Sequence, residues 1–96
     1  MRTFVKVSLP AAAGNRGMRE GSVPRLIAGF TEAAKPEAAY FGVFGGKRTM
    51  IAVFDQAQSS DMPRLLEPFI VELEAEVELT PIMNAEELQA GLAQVG

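Results

Sequence analysis

Residues 36–55 read PEAAYFGVFGGKRTMIAVFD, two apolar runs joined by Gly45-Gly46-Lys47-Arg48. The Gly-Gly pair supplies positive φ without steric cost, and the flanking runs are rich in aromatic and β-branched residues. Together they spell a β-hairpin with arms over 38–44 and 49–55. Side chains alternate across a strand, so pairing about this turn sets Tyr40, Gly42 and Phe44 on one face with Thr49, Ile51 and Val53. Phe41 and Val43 then share the other face with Met50, Ala52 and Phe54. A sheet that is wet on one side shows one polar face. This hairpin is apolar on both, so large apolar side chains stay uncovered whichever face the chain's own helices take.

The flanking segments supply the rest of the fold. Thr3 to Leu9 alternates, with Val5, Val7 and Leu9 opposite Phe4, Lys6 and Ser8, a strand with one apolar and one mixed face. Ala11 to Arg19 is small and polar with a helix start at Gly14-Asn15. Gly21-Ser22-Val23-Pro24 then reads as a cap and an early-turn proline, and Val23, Leu26, Ile27, Phe30 and Ala34 follow at helical spacing. One amphipathic helix, bent or restarted near Gly21, is expected. After the hairpin, Ser59-Ser60-Asp61 caps a second helix bearing Met62, Leu65, Leu66, Phe69, Ile70 and Leu73. Pro68 inside it predicts a kink or two pieces. Glu76 to Ile82 alternates as a fourth strand, and Asn84 with Glu87 forms a capping box that opens a short C-terminal helix through Leu88 and Leu92.

The order β-α-β-β-α-β with an appended helix predicts an α+β fold, a ferredoxin-like βαββαβ two-layer sandwich. Its four-stranded antiparallel sheet takes the order 4-1-3-2, with both helices on one face. Residues 1–96 form a single domain. Four strands of about six residues leave an open face of about 380 Å² in projection, and monomers seldom leave that much apolar surface bare. The expected partner is a second copy, giving a homodimer through the open sheet face.

Composition narrows the chemistry. With 9 Lys and Arg against 12 Asp and Glu, the net charge is −3, and no basic field exists to drive binding of nucleic acid. There is no cysteine and no histidine, which removes disulfides, thiolate nucleophiles, the commonest general base and the commonest transition-metal ligands. No metal and no cofactor is expected. Lys6 interrupts and Pro10 ends the first apolar stretch, so no signal-peptide core of about 7–15 apolar residues forms. No run approaches the ~20 residues that cross a bilayer. The expected localisation is cytoplasmic, without membrane association.

The element order, the open face, and the stretches KPEAAYF, GGKRT, EPF and TPIM resemble small bacterial proteins of the dimeric α+β barrel type. The resemblance spans nearly the whole chain and is specific for architecture. It implies two sheets packed face to face around a cavity. It does not select an activity, because that superfamily holds cofactor-free monooxygenases, muconolactone-type isomerases, haem enzymes and effector-binding domains. The haem branch uses a proximal histidine, which this chain lacks.

Five residues stand out as ligand-binding candidates, each with a plainer alternative. Tyr40 is the only tyrosine; its hydroxyl orients a ligand in a closed cavity, or its ring packs in a core. Arg48 beside two glycines clamps an anion or glues the dimer. Lys6 and Glu78 share the mixed face of neighbouring strands, as a cavity acid–base pair or as an ordinary cross-strand pair. Asn15, in a loop after the first strand, lies at the barrel mouth or caps a helix. GGKRT lacks the spacing of a phosphate loop, the acidic series Glu72, Glu74, Glu76 and Glu78 lacks calcium-loop spacing, and Met18, Met50, Met62 and Met83 read as core filler. The leading expectation is a binding module for a small, partly apolar, anionic molecule near Lys6, Tyr40 and Arg48. The rival is a cofactor-independent monooxygenase or isomerase acting on an aromatic or enol-type substrate; the third is a structural dimer without ligand. Whether the chain is an enzyme stays open at this stage.

Overall fold

In the computed structural model, which describes Met1–Gly96, the alternation at Thr3, Val5, Val7 and Leu9 becomes strand β1 (Arg2–Leu9) with those four side chains buried. Helices α1 (Ala11–Glu20) and α2 (Ser22–Ala34) follow, then the hairpin β2 (Ala38–Phe44) and β3 (Lys47–Asp55). Helix α3 (Met62–Leu73), strand β4 (Glu76–Pro81) and helix α4 (Ala85–Leu92) complete the chain. The sheet order is β2-β3-β1-β4 and every pairing is antiparallel. This is the expected 4-1-3-2 order read from the other edge, and the architecture is ferredoxin-like α+β. No helix is long and apolar enough to cross a membrane.

Register settles the two faces. Tyr40 pairs with Ile51, Ile51 with Lys6, and Lys6 with Glu78, one row across all four strands on the face away from the helices. Facing the helices are Val5, Val7, Met50, Ala52 and Phe54, which meet Val23, Leu26 and Phe30 of α2 and Leu65, Leu66, Phe69 and Leu73 of α3 in one buried cluster. At its centre the Phe30 ring meets Phe54 at 5.7 Å and Phe69 at 6.3 Å between centroids, both edge to face, the arrangement favoured by the ring quadrupole.

The restart expected near Gly21 is present, with α1 ending before Gly21 at φ 82° and α2 beginning at Ser22, but α1 starts at Ala11 and not at Gly14-Asn15. That left-handed turn suits glycine and ends α1 without an extra residue. Asn15 therefore lies inside α1, not in a loop. Ser22 is buried and donates to the Gly17 carbonyl instead of capping α2. Asp61 precedes α3 without a side-chain cap, in a 3-10 turn over Ser59–Asp61. Helix α3 runs through Pro68 as one segment, not two. The Asn84–Glu87 capping box is present in both directions.

The helix layer does not reach the far edge of the sheet. Helix α1 lies against β3 and α3 against β4, while Phe41 and Val43 on the helix side of β2 remain 58% and 73% exposed. From Tyr40 to Phe44, edge strand β2 is thus uncovered on both faces. At the opposite corner α4 projects from the domain with no buried residue. The molecule measures 54 × 27 × 18 Å with a radius of gyration of 15.1 Å, against about 12.5 Å for a compact chain of this length.

Candidate functional site

Strand parity divides the five candidate residues between the two faces. Tyr40, Lys6 and Glu78 stand in the single row described above, on the open face. Arg48 pairs with Leu9 and Val43 on the helix side, and its Nη1 donates to Asn15 Oδ1 at 2.8 Å. The structure therefore brings together Arg48 with Asn15, and separately Lys6 with Glu78 and Tyr40, but not Arg48 with Tyr40.

On the helix side the uncovered edge of β2 leaves a groove of about 380 Å³. Its floor is Val7, Leu9 and Met50; Met18, Val23 and Ile27 form one wall, Phe41 and Val43 the other. That volume lies in the range of small-molecule sites. Arg48 is its single charged lining residue.

The placement of Arg48 follows from glycine. A Cβ on Gly14 would sit 3.1 Å from Arg48 Nη1 and 3.8 Å from its Cδ, so the side chain crosses α1 where a side chain is missing. Asn15, one residue on, supplies the carbonyl oxygen that holds the guanidinium. A carboxamide neutralises no charge. Five of the 9 Lys and Arg side chains form ion pairs with carboxylates, and Arg48 is not among them. It stands at an apolar groove as an oriented cation whose remaining donors have no carboxylate. Lys47, its neighbour, is spent on Glu76 at 3.2 Å.

The open face has a different character. Lys6 and Glu78 are cross-strand partners but form no ion pair; the Lys6 ammonium lies 5.5 Å from the Phe44 ring centroid, in cation–π geometry. Tyr40 is 70% exposed, which overturns its reading as a core aromatic within one chain. Phe44 is exposed beside it, and Phe4, Ile51 and Val53 are half-buried. The face is apolar toward β2 and polar toward β4, where Glu76, Glu78 and Thr80 are exposed. Met18 and Met83 are 50% and 63% exposed, so neither is core filler; only Met50 among the four is buried. No cluster of three or more acidic side chains with metal-ligand geometry exists.

Sequence reasoning missed the groove itself. Its signals were the small-residue run Ala11-Ala12-Ala13-Gly14, which lets α1 approach the sheet, and the apolar pair Phe41 and Val43 sharing a face with Met50, Ala52 and Phe54. Compared with known proteins, the chain matches no family model and none of the curated proteins.

Proposed function

We propose that this chain is a binding module whose groove takes a small, largely apolar molecule ending in a carboxylate or similar anion. Arg48 holds the anion, Asn15 holds Arg48, and Met18, Phe41 and Val43 take the apolar part. The observation that carries this reading is the pairing of a single uncompensated guanidinium with an otherwise apolar groove of ligand size. Arg48 is exposed to incoming ligand, and a guanidinium binds a planar anion in bidentate fashion.

Binding is favoured over catalysis because the groove lining contains no carboxylate, tyrosine or lysine. An isomerase or monooxygenase step needs a group to take up a proton near neutral pH, and a guanidinium does not. Tyr40 and Glu78, the acid–base candidates, stand on the other face.

The same reading includes a homodimer through the open sheet face. Tyr40 and Phe44 are exposed there beside half-buried Phe4, Ile51 and Val53, and aromatic residues of this kind are enriched at interface centres. Lys6 and Glu78 then lie between the two sheets.

Amide NMR spectra of the protein titrated with decanoate and with decanol test the site. Shifts at Met18, Phe41, Val43 and Arg48, stronger for the acid than for the alcohol, are expected. Shifts centred on Phe4, Lys6 and Tyr40, or none at millimolar decanoate, would refute the assignment.

A further inference from the structure

Helix α4 lacks a packing surface in its own chain. None of its residues is buried, and Leu88 and Leu92 are exposed, with exposed Met83 before them and Val95 after. Its attachments are polar: the capping box, the Arg2–Glu87 ion pair, and the Ile82 N–H donated to the Arg2 carbonyl. An isolated helix below about 12–15 residues is marginal in water. Eight residues ending in exposed leucines therefore need something to lie against.

We propose that α4 packs on a second copy of this chain, across the outer side of its apolar groove, so that each subunit's arm completes the groove of the other. The proposal rests on the pairing proposed above and adds a wall to the site. The groove is open where that wall is needed, since Met18, Phe41 and Val43 are all at least half exposed.

The arm does not lie on its own chain's groove, since α4 buries no residue. The arm leaves the sheet beside Arg2, while Arg48 pairs with Leu9 at the far end of β1; seven residues at about 3.3 Å put the two ends ~23 Å apart. An eight-residue helix spans only about 12 Å. In a two-fold pair, an arm that lies on the partner's groove does so in both directions at once.

Charge and area point the same way. Glu86 on the arm has no cationic partner, and Arg19, one residue after Met18 at the groove, has no carboxylate. The open sheet face offers about 380 Å² in projection and more in accessible area, against the ~800 Å² of accessible surface per partner that a stable interface buries. The four apolar residues on and around α4 contribute toward the rest.

Two experiments on the full chain decide it. Sedimentation equilibrium compares the intact protein with one ending at Met83, a truncation that removes no core residue and whose fold circular dichroism verifies. The intact chain is expected to be a dimer, and the truncated one to dissociate at least tenfold more readily. Because the chain has no cysteine, a mixture of V43C and affinity-tagged L92C reports the contact directly: a mixed disulfide dimer is expected, and none between L92C and A28C. An intact chain that is monomeric sinks both the pairing and the arm. A dimer that survives truncation unchanged, or that gives no V43C–L92C product, sinks the arm and leaves the pairing.

Discussion

The Arg48 guanidinium donates to the Asn15 carboxamide at 2.8 Å, joining β3 to α1 directly over Gly14, where a methyl group would crowd the same Nη1 at 3.1 Å. A side chain so held is aimed before any ligand arrives, which lowers the ordering cost of binding.

Asn15 is a positioning residue on this account. Asn15→Leu removes the acceptor while keeping the side chain's approximate size, and a net loss of about 1 kcal/mol of orientation corresponds to a roughly fivefold weaker affinity for an anionic ligand. Affinity for a neutral analogue is expected to stay within twofold, read by isothermal titration.

Gly17 tests how α1 is seated. A Cβ there would approach Leu73 Cδ2 to 2.6 Å and Val23 Cγ2 to 2.8 Å, so two buried core side chains must shift. Overpacking costs about 1–3 kcal/mol and the gain in helix propensity returns about 1 kcal/mol. Gly17→Ala is therefore expected to lower the thermal midpoint by several degrees, roughly 4–8 °C per kcal/mol for a domain of this size.

The capping box predicts a local effect without a global one. Asn84→Ala is expected to cost α4 about 1 kcal/mol of helix stability, visible as faster amide exchange over 85–92. The thermal midpoint of the domain should stay unchanged under monomeric conditions, because α4 buries nothing.

At the junction with this helix, the Arg2 pKa is raised above its ordinary value, first by the hydrogen bond to Glu37 and then by the charge of Glu87. A raised cation contributes its share below its unfolded pKa and loses it only as pH climbs through the folded one. Arg2 therefore stays charged throughout the neutral range. The attachment should weaken with salt, not with mild alkali: exchange over 85–92 is expected to quicken between low and high ionic strength and to keep the same opening free energy from pH 7 to pH 9, a range far below any arginine titration.

Much of the fold was legible because its signals are local. Period-two alternation marks the four strands and, with the Gly45-Gly46 turn, which hairpin residues share a face, though not which face meets the helices; Asn84-x-x-Glu87 marks α4. The sequence groups Arg48 with Lys6 and Tyr40, whereas strand register sets it beside Met50 on the face opposite Tyr40. What local signals do not contain is where the helices come to rest. That Phe41 and Val43 stay bare on the helix side depends on α1 lying against β3 and stopping short of β2, a tertiary outcome of Gly14, Gly17 and the turn at Gly21. Asn15 illustrates the limit: as part of Gly14-Asn15 it resembles a loop-to-helix boundary, and only the folded chain shows it one turn into α1, facing an arginine 33 positions away.

The open face carries its own expectation. Phe44→Glu replaces an exposed aromatic by a carboxylate beside Lys6, and desolvating that pair in a dimer costs more than its attraction returns. Dissociation is expected to rise at least tenfold in sedimentation equilibrium, with the fold of each subunit retained.

The measurement that tests the central claim most directly is a fluorescence titration of the wild type and Arg48→Met with two matched probes, anilinonaphthalene sulfonate and uncharged phenylnaphthylamine. Removing one charge-assisted contact worth about 1.5–3 kcal/mol predicts a sulfonate affinity lower by about ten- to a hundredfold in Arg48→Met, with the neutral probe unchanged within twofold. Equal loss for both probes, or sulfonate binding untouched by the substitution, would contradict an anion held by Arg48 in the groove.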